Sequence, residues 1–383
     1  MRRRDFLSRA ALVVAGAATS ASLWAQAARA CRAVGGLEPY GPLEPPNPDG
    51  LQLPVGFRSR VIARGGEFVG PTRHRWHQAA DGGAIFRVAG GYVYTSNSEV
   101  ADGHGGVGAI RFDHRGRIQD AYSICSGTSR NCAGGPTTWG TWLTCEEVSR
   151  GIVYECDPTG VQPAIPRPAL GSFWHEAVAV DPELRRLYLT EDTPTGSFYR
   201  FTPTTWGDLS SGVLEVAGGT TSRVAWAEVP NPNPTSTQPS TRNQVPGAFH
   251  FNGGEGIVWQ SGIVHFTTKG DNRVWRYEPR AGTLEIVYEA NDDPLRQLTG
   301  VDNITASRSG DLLVAEDPGN LELVLLTPDC VASPLVRVTG QRRTEITGPA
   351  FDPLGRHLYF SSQRAGAGAR GITYQVTGPF RRF

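Results

Sequence analysis

Residues 175–203 read HEAVAVDPELRRLYLTEDTPTGSFYRFTP, and this stretch sets the pattern for most of the chain. It contains an apolar strand, an Asp-Pro turn, a second strand of alternating character, a polar loop and a third strand that ends near a proline. Alternation with a period of two is typical of β-strands, and clusters of Asp, Pro and Gly are typical of the turns between them. The stretch therefore predicts short antiparallel strands joined by tight turns.

Five other segments have the same order of strands and turns. They are residues 91–113, 141–158, 254–279, 301–328 and 348–376. A unit of about four strands that is repeated around an axis is the signature of a β-propeller. Six units predict an all-β fold, a six-bladed β-propeller; a seven-bladed propeller and two β-sandwiches are the alternatives. The Asn-, Pro-, Thr- and Ser-rich insert at 230–246 is expected to be a surface loop.

The composition agrees with many short strands. The chain of 383 residues contains 47 Gly and 28 Pro, and only 19% of its residues are charged. A single propeller can have this length. Lys and Arg together number 37, as do Asp and Glu, and the pI is near 7.1. This balance gives no indication of nucleic acid or an anionic membrane as a partner. We expect a monomer.

Residues 1–30 have the composition of a targeting segment, the N-terminal signal segment of the predicted fold. The twin-arginine pattern RRRDFL at 2–7 precedes an apolar run at 10–24 and a small-x-small cleavage site at 28–30. The apolar run is short for a membrane span, and an N-terminal anchor helix is the alternative. We expect export of the folded protein by the twin-arginine machinery to the periplasm or the exterior. An extended arm at 31–56 and a catalytic propeller domain at 57–383 are expected to follow.

A second informative stretch is NCAGGPTTWGTWLTCEE at residues 131–147. Its strand-like part ends in Cys145, Glu146 and Glu147, and strand alternation places Cys145 and Glu147 on one side. Thiolate favours iron or zinc and carboxylate favours calcium or iron, so the set indicates a site for more than one kind of metal. The alternative for Cys145 is a buried apolar residue or half of a disulfide.

Six cysteines, at positions 31, 125, 132, 145, 156 and 330, permit disulfides in an exported protein. The spacing leaves their pairing open. If Cys145 binds a metal, an odd number of cysteines remains, and Cys132 is the candidate for a second thiol at the site.

Acidic residues recur at the same phase of several repeats. Those at the start of an innermost strand are Glu176, Glu255 and Asp302, and those at the end of the next strand are Glu146, Glu191-Asp192 and Glu316-Asp317. Innermost strands of a propeller converge on a central channel, so residues of equal phase face one another. Crowded carboxylates cannot all ionise without cations, and several oxygen ligands suit calcium. For any single acid, a solvated loop carboxylate is the alternative.

The stretch at 131–147 closely resembles the signature of the PhoX-type alkaline phosphatases, a secreted bacterial family. The resemblance continues at 174–192 and 300–317, and Asn97-Ser98-Glu99 keeps the Asn-x-Glu that is common in the family. It implies a six-bladed propeller that hydrolyses phosphomonoesters at a centre of ferric ions, Fe(III), and calcium ions, Ca²⁺. The chain departs from the family at residues 361–364, SSQR, where Asn or Ile usually precedes Gln and His-Pro follows it.

Carried over by position, the resemblance makes Cys145 the thiolate ligand of iron. The other metal ligands indicated by the resemblance and by the phase of the acids are Glu146, Glu147, Glu176, Glu191, Asp192, Glu255, Asp302, Asn303, Glu316, Asp317, Asn97 and Glu99. The catalytic set is expected to comprise Cys145, Glu176, Lys269 and Arg364, with the two cations gripping the phosphate of a small phosphorylated substrate. Arg273 is a further candidate for that grip.

Two other functions are compatible with the sequence. A calcium-dependent propeller that hydrolyses lactones or phosphotriesters needs no thiolate. A non-catalytic exported propeller that only binds a partner needs no acids clustered at one mouth. The chain has no Ser-His-Asp order, no phosphate-cradling Gly-Lys-Ser/Thr loop and no zinc-binding His-Glu-x-x-His motif.

Overall fold

Six antiparallel sheets are arranged around a central channel. The structure, a computed structural model, describes residues 32–36, 38–365 and 370–381, so the expected targeting segment at 1–30 lies outside the described residues. Three strands precede the first blade: β1 (Val34–Gly35), β2 (Leu51–Gln52) and β3 (Arg58–Arg64). Blade 1 contains β4 (Ala80–Val88), β5 (Gly91–Ser98), β6 (Gly105–Asp113) and β7 (Ile118–Thr128). Blade 2 contains β8 (Asn131–Pro136), β9 (Trp142–Glu146), β10 (Val153–Cys156) and β11 (Ile165–Pro166).

The remaining four blades follow in chain order. Blade 3 contains β12 (His175–Asp181), β13 (Arg186–Glu191), β14 (Phe198–Thr205), β15 (Asp208–Thr220) and β16 (Arg223–Glu228). Blade 4 contains β17 (Gly254–Gln260), β18 (Ile263–Thr268), β19 (Arg273–Glu278) and β20 (Thr283–Glu289). Blade 5 contains β21 (Val301–Ala306), β22 (Leu312–Glu316), β23 (Glu322–Leu326) and β24 (Val331–Val338). Blade 6 contains β25 (Ile346–Phe351), β26 (His357–Ser362) and β27 (Ile372–Thr377), and β3 is its fourth strand.

The innermost strands form a closed ring. Each contacts the innermost strand of the next blade in the order β4, β8, β12, β17, β21 and β25, and β25 contacts β4 again. The ring is completed by the pairing of β3 with β27, in which Arg64 lies opposite Ile372 and Arg58 lies opposite Thr377. The prediction of an all-β, six-bladed propeller is confirmed, and the seven-bladed and sandwich alternatives are wrong.

The cores of the molecule lie between adjacent blades. The second strand of each blade is covered on both faces, so it reads as a continuous apolar run such as Leu-Leu-Val-Ala in β22, all of it buried. Aromatic rings fill the gap between blades 3 and 4, where Phe198 stacks on Phe266 with centroids 4.7 Å apart. Burying a side chain of this size stabilises the fold by about 2 kcal/mol. This packing fixes the angle at which each blade presents its inner edge to the channel.

Two segments outside the repeat are attached to the blades. In the arm, β1 pairs in parallel with β24, and β2 pairs with the same strand in antiparallel fashion. The insert at 230–246, expected as a surface loop, also contributes buried groups: Thr241 is fully buried and shares a hydrogen bond of 2.9 Å with the Tyr199 hydroxyl. Short 3-10 helices occur at Pro168–Leu170, Thr241–Asn243 and Lys269–Asp271. Among the described residues, no helix is long and apolar enough to cross a bilayer.

Candidate metal centre

An irregularity at the start of the innermost strand recurs in five blades. A bridged residue is followed by a β-bulge, and the residue directly after the bridge lies at the channel. These bulge residues are Asp81, Cys132, Glu176, Glu255 and Asp302. A bulge re-aims side chains and ends regular pairing, so it is a common device next to functional sites. In blade 6 the bulge is displaced by one residue and spans Thr347 to Ala350, which leaves Gly348 in this region.

The end of the second strand supplies another set of polar side chains at the same mouth. The first residue after that strand is, from blade 1 to blade 6, Glu99, Glu147, Asp192, Lys269, Asp317 and Gln363. Because this strand is bridged to the start of the innermost strand, the two sets are neighbours. Together they form what we call the acid ring, to which Glu345, the residue before β25, adds a further carboxylate.

Glycines let the innermost strands approach closely behind the acid ring. A Cβ atom on Gly82 would lie 2.6 Å from the Cα atom of Ala133, and one on Gly256 would lie 2.6 Å from the backbone nitrogen of Ile304. Any larger residue would push neighbouring blades apart. The Asp-Gly and Glu-Gly pairs at 81–82 and 255–256 thus serve the close spacing of the carboxylates that precede each glycine.

The acid ring contains three groups of potential metal ligands, and within each group the ligand atoms lie within 4.8 Å of one another. The first is Cys132, Glu147 and Glu176; the second is Glu176, Glu255 and Asp302; the third is Asp302, Asp317 and Glu345. Glu176 belongs to the first two groups and Asp302 to the last two, so the groups form one continuous row. The row passes from a mixed sulfur and oxygen set to sets that contain carboxylate oxygens alone.

Glu176 is the central member of the row and is fully buried. Neither of its carboxylate oxygens has a hydrogen-bond partner in the protein. An unpaired buried carboxylate is destabilising by several kcal/mol, on the order of the desolvation penalty of an ion, unless a cation or proton neutralises it. The residues present therefore fit a metal centre, because cations would satisfy these oxygens and remove the repulsion within the row.

The electrostatics of the row without cations are unfavourable to ionisation. Burial, together with Asp192 and Glu99, raises the pKa of Glu147 to about 8. Burial raises the pKa of Asp302 to about 7, although Lys269 opposes this shift. Burial and the charge of Asp302 raise the pKa of Glu345 to about 10.

The thiol of Cys132 is affected in the same way. Burial and the charges of four neighbours, Asp81, Glu176, Glu147 and Glu99, raise its pKa well above its usual range. Only a bound cation would convert such a thiol to a thiolate at neutral pH.

Lys269 and Arg364 lie at the solvent side of the acid ring. The Nζ atom of Lys269 is 2.9 Å from Glu255 and 3.0 Å from Asp317. Arg364 bridges Glu99 and Glu345, and its side chain is 37% exposed. Both predicted phosphate-binding cations are thus at the mouth. Arg273 is not: it pairs with Asp271 and Glu289 on the outer part of blade 4.

Cys145 belongs to none of the three ligand groups. Its thiol is fully buried among the apolar residues between blades 2 and 3, such as Leu143 and Val153, and burial, together with the charge of Glu176, raises its pKa. The expected common side for Cys145 and Glu147 is wrong because β9 ends at Glu146, so Glu147 has left the alternation. The cysteine at the acid ring is Cys132, whose Sγ atom is 3.7 Å from an oxygen of Asp81.

Glu146, Glu191 and Glu316, predicted as metal ligands, have a different role in the structure. Each accepts hydrogen bonds from backbone N–H groups of the loops beside its strand, and none belongs to the three ligand groups. Glu191 is also paired with Arg242 at 2.7 Å. Each of these residues is followed by a second acid. The first acid accepts hydrogen bonds from loop backbone, and the second one, Glu147, Asp192 or Asp317, lies at the channel.

The two asparagines position the acid ring. Asn97 donates from Nδ2 to the carbonyls of Cys132 and Ala133, at 3.0 and 2.7 Å, and its Oδ1 accepts from Trp142. Asn303 donates to Asp302 at 2.9 Å and accepts from the Gly348 backbone at 2.6 Å. Their side chains are therefore used within the protein, and they support neighbouring ligands.

Three residues of the acid ring were not among the sequence-predicted ligands: Asp81, Glu345 and Gln363. Asp81 could have been found, because Asp81-Gly82 has the same form as Glu255-Gly256 at the start of another innermost strand. Gln363 donates to Asp81 and, at 3.0 Å, to Glu99. Glu345 lies outside the repeat phase, so no pattern in the sequence indicates it.

The fold and this site define a six-bladed propeller with a thiol-containing polyacidic centre at one mouth of its channel. The family model described as alkaline phosphatase PhoX matches residues 98–366. The chain belongs to this family, whose members are exported, metal-dependent enzymes, and it is a phosphatase. No curated protein matches the chain in a sequence search.

Solved structures share the fold. Pseudomonas fluorescens PhoX in complex with vanadate, a transition state analogue, has a TM-score of 0.72 and 15% identity, covering 90% of this chain and 98% of that chain. A protein of unknown function from Bacteroides thetaiotaomicron has a TM-score of 0.55 and 10% identity, with coverages of 84% and 76%. A gluconolactonase from Xanthomonas campestris has a TM-score of 0.53 and 12% identity, with coverages of 89% and 99%. At these identities the likeness shows the propeller fold alone.

Proposed function

We propose that the chain hydrolyses small phosphomonoesters at the acid ring, with a mixed centre of ferric and calcium ions. The observation that carries the proposal is the carboxylate of Glu176, buried, without a partner, and shared by a group that contains a thiol and a group of carboxylates alone. A site that only bound a neutral partner would not need such a carboxylate.

The donor atoms divide the centre between two kinds of metal. The group of Cys132, Glu147 and Glu176 combines a soft sulfur with hard oxygens and suits iron. The two groups that share Asp302 offer oxygens alone and suit calcium. When bound, the cations offset the negative charge that builds up on the phosphoryl group and lower the pKa of a water molecule.

The protein's own cations orient the phosphate. Lys269 is 35% exposed and Arg364 is 37% exposed, so both present N–H groups to a ligand at the mouth while they remain tied to the acid ring. Arg364 offers a planar pair of donors that matches two phosphate oxygens. The amide of Gln363 donates a hydrogen bond to Asp81 and positions that carboxylate.

The position of Arg364 also bears on the departure from the family at residues 361–364. In this chain Arg364 follows Gln363 directly and reaches two carboxylates of the acid ring. We therefore assign to Arg364 the substrate contact that another residue makes in relatives with a different sequence here.

Export completes the proposal. We infer that residues 1–30 direct the folded, metal-loaded protein through the twin-arginine machinery to the periplasm or the exterior, where phosphate esters are its substrates. A monomer is sufficient for this function, because all members of the acid ring come from one chain. No described residue of the site favours a lactonase or a phosphotriesterase. None favours a non-catalytic binding propeller either.

The test combines elemental analysis with turnover of p-nitrophenyl phosphate. Protein purified from its native export route should contain iron and calcium and should lose turnover in a chelator. The Glu176→Gln variant should lose both the metals and at least 100-fold in turnover, as expected when a buried charged ligand is removed. The matched control is Glu228→Gln on the exposed edge of blade 3. Calcium without iron, together with no phosphatase activity, would contradict the proposal.

A further inference from the structure

A large basic cavity opens beside blade 6, outside the acid ring. Its volume is about 640 Å³. The residues that line it include Arg64, Glu67, Gln341, Arg342, Ala365 and Arg370. They come from the end of β3, from the loop before β25 and from the described residues Ala365 and Arg370 between β26 and β27. These segments lie on the same face of blade 6 as the mouth of the channel, because Arg64, Ile372, Ser362 and Ile346 are paired in one row across the blade.

The charges of this cavity are not balanced by the protein. Arg64, Arg342 and Arg370 are exposed, and none of them has an ion pair or a side-chain hydrogen bond within the part of the chain that the structure describes. Glu67 is the acid among the described lining residues. Elsewhere in the molecule arginines are commonly paired, as Arg200 is with Glu215 and Arg381 with Asp311. The cavity therefore carries an excess of positive charge in a concave surface.

The wall of the cavity is adjacent to the proposed phosphate site. Its wall residue Gln341 accepts a hydrogen bond from Ser362, and the next residue, Gln363, donates to Asp81 and Glu99 of the acid ring. Arg364 reaches Glu99 and Glu345, and Ala365 again lines the cavity. Two residues of chain span about 7 Å at most, so the backbone that carries Gln363 and the backbone that lines the cavity are within the length of a small ligand.

We propose that this cavity binds a second anionic group, carried by the alcohol part of the phosphomonoester whose scissile phosphate lies at the acid ring. The inference rests on the proposed function and narrows its substrate class to small molecules with two anionic groups. Guanidinium groups bind phosphate oxygens in pairs, and a concave basic surface concentrates anions. At the acid ring, the oxygen of water forms a bond to phosphorus and the bond between phosphorus and the alcohol oxygen breaks, with a proton of the water passing to the alcohol. The products are inorganic phosphate and an alcohol that still carries its second anion.

The experiment compares three substrates that differ in their second charge: fructose 1,6-bisphosphate, fructose 6-phosphate and p-nitrophenyl phosphate. We expect the holoenzyme to have a KM about tenfold lower for the bisphosphate than for the monophosphate, as one charge-assisted hydrogen bond would give. The double variant Arg64→Gln/Arg342→Gln should raise the KM for the bisphosphate by about tenfold with kcat unchanged. Its kinetic constants for the other two substrates should stay within twofold.

The matched control is Arg343→Gln. Arg343 is exposed and follows Arg342 directly, but it does not line the cavity. It should leave all three substrates within twofold. Equal losses for all three substrates in the double variant, no loss for any of them, or the same loss in Arg343→Gln would each overturn the inference.

A binding measurement separates this inference from the proposed function. If the metal-loaded enzyme does not turn over p-nitrophenyl phosphate, the proposed function fails. Calorimetric binding of fructose 1,6-bisphosphate to the wild-type protein, weakened about tenfold in the double variant, would still support the basic cavity. Equal binding by the wild type and the double variant would overturn it.

Discussion

Cys132 and Cys145 lie in one segment of the chain but in different environments. Cys132 follows the bridged residue of β8 and enters the acid ring, whereas Cys145 lies within β9 and faces the apolar core between blades 2 and 3. A buried cysteine among aliphatic side chains acts as a small apolar residue. A cysteine within 4.8 Å of two carboxylates is placed to bind a metal.

The two cysteines should therefore respond differently to replacement by serine. Cys132→Ser should lose iron and phosphatase activity while its thermal stability without metals stays near that of the wild type. Cys145→Ser should keep its iron and activity but lose about 1 to 2 kcal/mol of stability, because a hydroxyl is buried without a partner. Iron content, turnover of p-nitrophenyl phosphate and chemical denaturation of both variants are the measurements.

The opposite pattern would reject the assignment. If Cys145→Ser lost iron and Cys132→Ser kept it, the thiolate ligand would be the one that the sequence resemblance implies, and the first ligand group would lack its sulfur.

At the scale of the element, the end of the second strand separates structural from functional carboxylates. Glu316 is the last residue of β22 and accepts bonds from the backbone N–H groups of Thr299, Asn320 and Glu322 at 2.9, 2.7 and 3.1 Å. Asp317, the next residue, belongs to the third ligand group. Glu146-Glu147 and Glu191-Asp192 repeat this division at the ends of β9 and β13.

This division gives a prediction for two adjacent residues. Glu316→Ala should lower the free energy of unfolding by about 3 kcal/mol, because three backbone donors lose a charged acceptor. Asp317→Ala should leave the stability of the metal-free protein unchanged or raised, since it removes a charge from a crowded site, but should weaken calcium binding. Denaturant unfolding in a chelator and equilibrium dialysis with calcium distinguish the two. Loss of calcium affinity in Glu316→Ala at unchanged stability would show that the roles are exchanged.

The sequence could predict these strand ends only in part. The phase of the repeats brought Glu176, Glu255 and Asp302 to one channel, since equal positions in a radial repeat must converge. It could not say which of two consecutive acids faces the channel, because that depends on where the strand ends and on the bulge opposite. Asn97 and Asn303 show the same limit: their oxygens are suitable ligands, but neighbouring N–H groups already use them.

For the whole molecule, overall neutrality hides an uneven distribution of charge. Lys and Arg match Asp and Glu in number, yet the acid ring collects most of its charge from carboxylates, with Lys269 and Arg364 as its cations. The pKa of Glu147 rises from 4.5 to about 8, and that of Asp302 rises from 3.8 to about 7. The folded protein without metals therefore binds more protons than the unfolded chain between these values.

The sign of this difference predicts how pH changes stability. Carboxyl groups with raised pKa stabilise the fold while they are protonated, and that contribution is lost as the pH rises towards 7 and 8. In a chelator, the melting temperature should fall by about 5 °C or more between pH 5 and pH 8. With iron and calcium bound, the fall should disappear. A chelated protein that melts at the same temperature at both pH values would show that the acid ring is not strained by its own charge.

The fold as a whole was easier to predict than its closure. Each blade repeats a local pattern of strands and turns, and local patterns are visible in a single sequence. The pairing of β3 with β27 joins segments some 300 residues apart, and the parallel pairing of β1 with β24 is similarly remote. Such contacts depend on the finished ring and leave no periodic trace in the chain.

The closure of the ring by β3 also determines when the propeller can complete its folding during synthesis. Blade 6 needs Arg58–Arg64 and Ile372–Thr377 at the same time, so the ring cannot close during synthesis until residues 372–377 have left the ribosome. The third ligand group needs only Asp302 and Asp317 of blade 5 and Glu345 beside blade 6. The first two groups come from blades 2 to 5, so all three can assemble before the ring is closed, and closure then shields ions that are already bound.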